Sequence, residues 1–284
     1  MNADSLSIIA PAKLNLFLHI TGRRADGYHE LETLFTFLDF GDTLHFTPRT
    51  DEHLVVAAME GVANEDNLIY RAAMALQQQY LYRGLPIYGV DIAIDKRLPM
   101  GGGVGGGSSD AATTLLTLNK MWGEHLTFAE LAELGIKLGA DVPVFIYGQS
   151  ALARGIGEQL QTVNVPQCWY LVVHPQVHIS TAAVFTHPDL TRDSAKLPEH
   201  WQDAPHRNDC EPLVKKLYSE VEKTLDWLLK YAPSRMTGTG ACCFAAFENE
   251  QAAQDVLEKL PNQWQGFVAK SRNKSPAHTA LGLA

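Results

Sequence analysis

Apolar and polar residues alternate strictly over residues 11–20. Ala12, Leu14 and the apolar residues at every second position after them share one side, whereas Lys13 and Asn15 lie on the other. A period of two is typical of a strand with one face against a core. The pattern therefore predicts an early strand that presents Lys13 and Asn15 on its polar face.

Further apolar stretches predict six additional strands. The first of them is expected to end at Gly41-Asp42, because this pair is typical of a turn. The six predicted strands are residues 34–40, 44–46, 54–58, 90–94, 169–173 and 266–269. Strands therefore recur along the whole chain.

Apolar residues at spacings of three and four predict helices between these strands. Capping residues indicate where several of the helices begin, and glycine or proline indicates where they end. The predicted spans run from Asp66-Asn67 to Gly84, from a cap at Ser108 or Ser109 to about Trp122, from the Thr127–Glu130 capping box to Gly139, and over 213–231 and 252–260.

The strands and helices follow one another without a regular strand-helix-strand rhythm. This order favours an α+β fold over a doubly wound parallel sheet. A length of 284 residues corresponds to about two domains. Because the packing signals are weakest around residues 150–165, we predict one domain over residues 1–157 and a second over residues 158–284.

The composition describes a globular chain with an acidic excess. Hydrophobic residues make up 46% and charged residues 19%, which excludes disorder as a global description. The formal net charge is −9, and nucleic-acid backbones recruit Lys and Arg. We therefore expect no nucleic-acid partner, whereas small anionic ligands remain compatible with a few well-placed N–H groups.

Cysteines and apolar segments indicate a cytoplasmic protein. The four cysteines form no C-x-x-C pair, so we expect reduced thiols rather than a zinc site. The first ten residues have neither a basic segment nor a long apolar run, and the longest apolar stretch, 241–247, is too short to span a bilayer. We expect no signal peptide and no membrane partner.

A glycine-rich loop over residues 99–107 is the strongest chemical signal. It contains six glycines, follows the predicted strand 90–94 and leads into a predicted helix. Backbone N–H groups without neighbouring Cβ atoms can approach an anion closely, and the start of a helix favours phosphate. A flexible surface loop is the alternative, but the flanking elements hold both ends.

Two well-known phosphate motifs do not describe this loop. The glycines do not directly follow the strand, and the acidic residue of a dinucleotide-binding fold is missing at its expected position. The G-x-x-x-x-G-K-[ST] motif is absent as well. The loop is therefore predicted to bind phosphate in a different way.

Three segments together resemble the motifs of the GHMP kinases, which include galactokinase, homoserine kinase and mevalonate kinase. They are Pro11–Asn15, Pro99–Ala112 and Thr237–Phe244, in the order of the family's motifs. Two more blocks, Arg24–His29 and Gly139–Phe145, resemble the branch that acts on a cytidine diphosphate derivative of methylerythritol. The resemblance extends over residues 8–278. Asp110 departs from the pattern, and beside a phosphate it requires a compensating metal ion or lysine.

The resemblance implies a two-domain architecture, with an N-terminal domain like domain 2 of ribosomal protein S5 and a C-terminal ferredoxin-like domain. The active site is then expected in the cleft between them. The implied activity is ATP-dependent phosphorylation of the 2-hydroxyl of the methylerythritol part, a step of non-mevalonate isoprenoid synthesis. Mg²⁺ is expected with ATP, although no motif identifies its ligands, and the implied assembly is a monomer or weak homodimer.

The catalytic residues implied by the resemblance are Lys13 and Asp141. Asp141 can accept the proton of the hydroxyl, and Lys13 can hold the same oxygen. Each residue also has an ordinary structural explanation. Lys13 alone reads as a solvated residue on a strand, and Asp141, two residues before Pro143, reads as a helix cap.

The resemblance also implies two groups of binding residues. Thr239 and Gly240 are expected to close the site from the second domain. For ATP the implied residues are Asn67, Leu68, Ile69, Lys96, Pro99, Met100, Gly101, Gly102, Gly103, Val104, Gly105, Gly106, Gly107, Ser108 and Ser109. For the cytidine substrate they are Asn15, Tyr28, His29, Thr181 and Phe185.

Two other functions compete with this interpretation. One is a different GHMP kinase, such as a homoserine or mevalonate kinase, and Tyr28-His29 argues against it. The other is a nucleotide-binding regulator that has lost turnover. The presence of both Lys13 and Asp141 argues against such a regulator.

Overall fold

The computed structural model describes residues 5–284, which form a mixed α and β fold. The first part of the chain contains β1 (Leu6–Arg23), β2 (His29–Pro48), β3 (Leu54–Val56), α1 (Leu68–Tyr82), β4 (Val90–Asp95), α2 (Gly106–Met121), α3 (Phe128–Gly135), α4 (Val142–Tyr147), β5 (Ala151–Arg154) and β6 (Gln159–Thr162). The second part contains β7 (Trp169–His174), α5 (Thr181–Thr186), a 3₁₀ turn (Trp201–Asp203), α6 (Glu211–Leu217), α7 (Ser219–Leu228), β8 (Ser234–Met236), β9 (Cys243–Phe247), α8 (Glu250–Leu257), β10 (Gln265–Arg272) and α9 (Pro276–Leu281).

A continuous sheet connects the two parts in the order β3-β4-β2-β10-β7-β9-β8. Strand β10 is the junction, because residues 265–270 pair with β7 while Ser271 and Arg272 pair with Leu38 and Phe37 of β2. Strand β1 pairs with β2, and β5 pairs with both β2 and β6. The last strand of the chain thus joins the first and second parts of the molecule into one sheet.

Two large apolar cores lie on either side of this junction. The first contains Leu115 of α2 and Phe145 of α4, and the second contains Leu171 of β7 and Leu225 of α7. Segments beyond residue 157 contribute to the first half: β6 pairs with β5, and Leu281 of α9 packs into the first core. The domain boundary at residue 157 stays a prediction.

The prediction that Gly41-Asp42 ends a strand is wrong, because β2 runs unbroken from His29 to Pro48. Gly41 pairs with Pro11 of β1, and a Cβ atom added there would lie 2.0 Å from the carbonyl oxygen of Ala10. The glycine is therefore needed for a close approach of two strands. Asp42 is fully buried and belongs to the site described below.

Helix ends are partly as predicted. Asn67 caps α1 by accepting a hydrogen bond from the Ile69 N–H at 3.0 Å, and the Thr127–Glu130 capping box is present. The predicted cap at Ser108 or Ser109 is wrong: α2 begins at Gly106, after Gly105 in the left-handed conformation, without a side-chain cap. The predicted end of α3 at Gly139 is also wrong, since this helix ends at Gly135.

The predicted helix over residues 213–231 is in fact two helices. Tyr218 is extended, with φ −132° and ψ 91°, and separates α6 from α7. The break lets Val214 of α6 and Val221 of α7 pack into the same second core. Within residues 5–284, no helix is both long and apolar enough to cross a membrane.

The close approach at Gly41 generates a stability prediction. Gly41→Ala places a methyl group against backbone atoms that cannot rotate away, so the free energy of unfolding should fall by about 3 kcal/mol or more. Gly22→Ala in the same strand pair is the matched control. Its Cβ would lie 3.8 Å from the Glu30 side chain, an ordinary contact, and we expect a change within about 0.5 kcal/mol.

Urea denaturation of the two variants measures both changes. Equal stability of Gly41→Ala and Gly22→Ala would show that the strands tolerate a side chain at this crossing.

Candidate active site

A cavity of about 800 Å³ opens between the two halves of the molecule. Three walls surround it: the glycine loop with the start of α2, the β1–β2 hairpin, and a wall from the second half that includes α5 and residues 238–239. Almost all residues implied by the sequence line this cavity. The exceptions are Val104, Ser109 and Gly240, which are buried outside it, Val104 in an apolar cluster with Leu98.

The glycine loop fits tightly between its neighbours. Gly103 and Gly105 have φ values of +76° and +77°, a region that favours glycine. A Cβ on Gly103 would lie 2.5 Å from the Thr237 carbonyl oxygen, and one on Gly105 would lie 2.8 Å from the Phe145 ring. The missing side chains thus allow the loop to pass between both halves of the molecule.

The glycine loop leads directly into the 16-residue helix α2. The first N–H groups of a helix have no acceptor within it and carry a partial positive charge. Gly106, Gly107 and Ser108 all line the cavity at this helix start. The arrangement is suited to the phosphates of a nucleotide.

Lys13 and Asp141 form an ion pair at the middle of the cavity. The Lys13 Nζ lies 3.2 Å from the Asp141 Oδ2; Lys13 is only 3% exposed and Asp141 is 38% exposed. Lys13 also donates hydrogen bonds to the Asn15 Oδ1 at 2.6 Å and the Gly103 carbonyl at 3.1 Å. The structure therefore excludes a solvated strand position for Lys13.

The alternative explanation for Asp141 is confirmed in position but not in hydrogen bonding. Asp141 occupies the position before α4, but its side chain makes no capping hydrogen bond. The carboxylate faces Lys13 and the cavity instead. It is thus free to contact a bound hydroxyl group.

Asn15, beside Lys13, is fixed by three hydrogen-bonding partners. Its side-chain Nδ2 donates to the Thr33 Oγ1 at 2.8 Å, and its backbone N–H donates to the Thr237 Oγ1 at 2.9 Å. Its Oδ1 accepts from Lys13. These contacts hold the Lys13 ammonium group in one place without the help of Asp141.

Lys96 is clamped by two buried carboxylates. Its Nζ donates to the Asp42 Oδ2 and, at 3.0 Å, to the Asp110 Oδ2. The Asp42 Oδ1 accepts from the backbone N–H groups of Arg97 and Leu98, at 2.6 and 2.7 Å. The compensation that Asp110 requires beside a phosphate site is therefore supplied by Lys96.

The protonation states of this cluster are shifted from their ordinary values. Burial opposes the charge of Lys96, but Asp110 and Asp42 outweigh it and raise the pKa of Lys96. Burial raises the pKa of Asp110 to about 7, with Lys96 opposing the shift and Asp42 adding to it. The Asp110 Oδ1 is buried without a hydrogen-bond partner among the described residues.

Aromatic rings form the far end of the cavity. The His29 and Phe185 rings lie 5.1 Å apart with an angle of 31° between their planes. Tyr28 is 59% exposed at the rim, and the Thr181 and Thr239 hydroxyl groups are 2.9 Å apart. This end offers flat apolar surfaces of the kind that contact a nucleobase.

Sequence reasoning missed several members of the site. Asp42 was not predicted, because the sequence Gly41-Asp42 is typical of a turn. Arg23 and Thr33 belong to no recognised motif. The cavity lining that was not predicted consists of Leu18, Arg23, Gly27, Leu31, Thr33, Phe35, Met59, Val62, Asp66, Asp110, Ala140, Ile156, Gly157, Ala182, Thr186 and Gly238.

Two families of known proteins match consecutive parts of the chain. Residues 67–149 match the GHMP kinases N terminal domain, and residues 187–266 match the GHMP kinases C terminal family. The chain is 62% identical over 281 residues to the 4-diphosphocytidyl-2-C-methyl-D-erythritol kinase of Pseudoalteromonas translucida, covering 99% of this chain and 98% of that protein. A protein of the same name from Tolumonas auensis is 56% identical over 282 residues, covering 98% and 97%.

Solved structures give a consistent result. The crystal structure of a 4-(cytidine 5'-diphospho)-2C-methyl-D-erythritol kinase superposes with a TM-score of 0.81 at 32% identity, covering 94% of this chain and 99% of that one. A homoserine kinase from Cytophaga hutchinsonii superposes with a TM-score of 0.68 at 16% identity, covering 97% and 96%. The second match shows a shared fold alone.

The raised pKa of Asp110 generates a pH-dependence prediction. Between about pH 4 and pH 7 the folded protein keeps a proton on this carboxyl group that the unfolded chain releases. The free energy of unfolding should therefore fall as the pH rises through this window, by an amount on the order of 2 kcal/mol. Asp110→Asn should remove that part of the slope.

Urea denaturation at several pH values between 4.5 and 7.5 measures the slope. The matched control is Asp255→Asn, which changes an exposed carboxyl group on α8 and should keep the wild-type slope. Superimposable pH profiles for the wild type and Asp110→Asn would contradict the shift.

Proposed function

The chain belongs to the 4-diphosphocytidyl-2-C-methyl-D-erythritol kinases, a group of the GHMP kinases, and from this membership we propose its reaction. It transfers the γ-phosphoryl group of ATP to the 2-hydroxyl of 4-(cytidine 5'-diphospho)-2-C-methyl-D-erythritol, giving the 2-phosphate and ADP. The membership also confirms the expected α+β fold of the GHMP kinase type. The observation that carries the proposal is the Lys13–Asp141 pair between a phosphate loop and an aromatic wall.

Phosphoryl transfer requires alignment and charge neutralisation more than covalent chemistry by the protein. We place the 2-hydroxyl against Asp141, whose carboxylate takes the proton as the oxygen forms its bond to the γ-phosphorus. The bond between that phosphorus and the β-phosphate oxygen breaks, and ADP leaves with the electron pair. Lys13, held by Asn15 and Gly103, faces the reacting oxygen and offsets its developing negative charge.

The two ends of the cavity hold the two nucleotides in this proposal. The ATP phosphates lie over the loop 101–107 and the start of α2, with the nucleoside near Asn67–Ile69 and Lys96. The cytosine lies between Tyr28, His29 and Phe185, and Thr181 and Thr239 close that end. The Lys13–Asp141 pair lies where the two ligands meet.

We infer that Mg²⁺ accompanies ATP. The described residues contain no group of three or more His, Cys, Asp or Glu suited to a metal. Mg²⁺ in kinases needs only one or two protein oxygens, because phosphates and waters complete its shell. The residues that would hold it are Ser108, which lines the cavity, and Asp110 with its unpartnered oxygen. The ion would neutralise charge on the phosphates.

The competing functions fit the site less well. Homoserine and mevalonate kinases resemble this chain only in fold, at 15–16% identity, and neither substrate has a base for the aromatic wall. A regulator without turnover has no use for the Lys13–Asp141 pair.

The assembly, location and partners of the protein stay predictions. We predicted a monomer or weak homodimer in the cytoplasm, without a nucleic-acid partner.

The reaction is tested by measuring ADP release with purified protein and a panel of alcohols. We expect turnover with the cytidine diphosphate derivative of methylerythritol and none with homoserine or mevalonate, because only the former fills the aromatic end. Turnover with homoserine or mevalonate alone would identify a different kinase. ATP binding without ADP release from any alcohol would support the regulator.

The roles of the ion pair are tested by two substitutions. Asp141→Asn removes the proton acceptor and should lower kcat by about 100- to 10,000-fold with little change in KM. Lys13→Met removes the cation and should lower kcat over a similar range. The control is Asp95→Asn, an exposed carboxylate that pairs with His45 outside the cavity and should leave kcat unchanged.

Thermal denaturation of the three variants establishes that each is folded. A folded Asp141→Asn protein with near-wild-type kcat would refute the role of Asp141 as proton acceptor.

A further inference from the structure

A guanidinium group lies directly behind the aromatic end of the cavity. Arg192, in the loop between α5 and α6, is not part of the cavity lining. Its Nε donates to the Nε2 of His29 at 3.0 Å, and its Nη2 donates to the carbonyl oxygens of Phe185 and His187 at 2.8 and 2.7 Å. Its Nη1 donates to the Leu190 carbonyl at 3.0 Å. One side chain thereby connects both aromatic walls.

The hydrogen bond from Arg192 determines where His29 carries its proton. A guanidinium group stays protonated in proteins, so its Nε is always a donor. The His29 Nε2 must therefore be an acceptor, and a neutral ring then has its proton on Nδ1. Among the side chains that the structure describes, no partner binds this Nδ1, which leaves its N–H available to a ligand.

The surroundings of His29 keep its ring neutral. His29 is 8% exposed, and its neighbours include two cations, Arg192 and Arg23. Burial lowers the pKa of His29, and both arginines lower it further. A second proton on the ring, which would displace Arg192 from Nε2, is therefore disfavoured near neutral pH.

We propose that Arg192 is a positioning residue that fixes the Nδ1–H form of His29 and thereby makes the site select cytosine over uracil. This inference rests on the proposed function, because it assigns a base-reading role to the aromatic end of the same cavity. Arg192 does not touch the substrate. It acts through the proton position of His29 and through the carbonyl of Phe185.

The selection follows from the hydrogen-bonding groups of the two bases. The N3 atom of cytosine is an acceptor and pairs with the Nδ1–H of His29. The N3 of uracil carries a hydrogen and would face that N–H as a second donor, leaving both groups without a partner. Such a mismatch in a buried site corresponds to about a 10- to 100-fold difference in binding.

The tautomer is measured directly by ¹⁵N NMR of the histidine side chains in the full-length protein. The signal of His29 is identified by its loss in His29→Asn. The wild type should show an Nδ1–H imidazole with an unprotonated Nε2. An Nε2–H ring in the wild type would overturn the proposal without any reference to activity.

The role of Arg192 is tested with Arg192→Met, which removes all five N–H donors and keeps an apolar stem. We expect the Nε2–H form of His29 to become populated and the pKa of His29 to rise, because one of its cationic neighbours is gone. KM for the cytidine substrate should rise about 10- to 100-fold while kcat changes by less than about threefold. The preference for CDP over UDP in equilibrium binding should fall at least tenfold.

Arg207→Met is the matched control. Arg207 lies in the same loop, but its guanidinium binds Asp209 and Ser194 rather than His29. This variant should keep the wild-type tautomer, KM and CDP preference. Unchanged CDP preference and an unchanged Nδ1–H ring in Arg192→Met would overturn the proposal. A wild type that binds CDP selectively but releases no ADP would instead refute the proposed reaction alone.

Discussion

The close approach between the glycine loop and its neighbours is the constraint on which the site depends. The Lys13 N–H donates to the Val104 carbonyl at 2.9 Å, and the Cys242 N–H donates to the Gly102 carbonyl at 3.0 Å. These two hydrogen bonds connect the loop to β1 on one side and to the second half on the other. Both hydrogen bonds require a residue without a Cβ at position 103, because any side chain there would collide with the backbone of Thr237. The same proximity gives Lys13 its contact with the Gly103 carbonyl, so the loop that is suited to phosphate also positions the cation.

The charges of the site are arranged in pairs rather than as a basic patch. The chain has a net charge of −9, yet its reactive end contains Lys13 with Asp141, and Lys96 with Asp42 and Asp110. A buried lysine without a partner is costly, and the carboxylates offset that cost. Asp42 and Asp110 also fix the direction of the Lys96 ammonium group, whereas Asn15 and the Gly103 carbonyl fix that of Lys13. An anionic substrate therefore meets cations whose positions are already set, together with the N–H groups at the start of α2.

Local signals in the sequence predicted what local interactions determine. The Asn67 cap and the Thr127–Glu130 box were predictable because each involves residues two or three positions apart. Short elements such as α4 and β8 were missed, since six or three residues carry too little periodicity. The partners of Lys96 and His29 were missed for another reason. Asp42 and Arg192 are 54 and 163 positions away from Lys96 and His29, respectively. Asp42 is brought to Lys96 by the pairing of β2 with β4, and Arg192 is brought to His29 by the course of the loop after α5.

The continuous sheet explains how one cavity combines a rigid end and an open one. Because β10 pairs with both β2 and β7, separating the halves would break backbone hydrogen bonds of this sheet. The reacting end lies near this junction, because Lys13 pairs with Phe37 of β2, which also pairs with Arg272 of β10. Lys13 is 3% exposed and is bound by Asp141, Asn15 and the Gly103 carbonyl. Tyr28, at the rim, is 59% exposed and follows a turn of the hairpin. Phosphoryl transfer is sensitive to small misplacements of the reacting atoms, whereas entry of a large nucleotide requires an open rim. The gradient of burial along the cavity satisfies both requirements within a single fold.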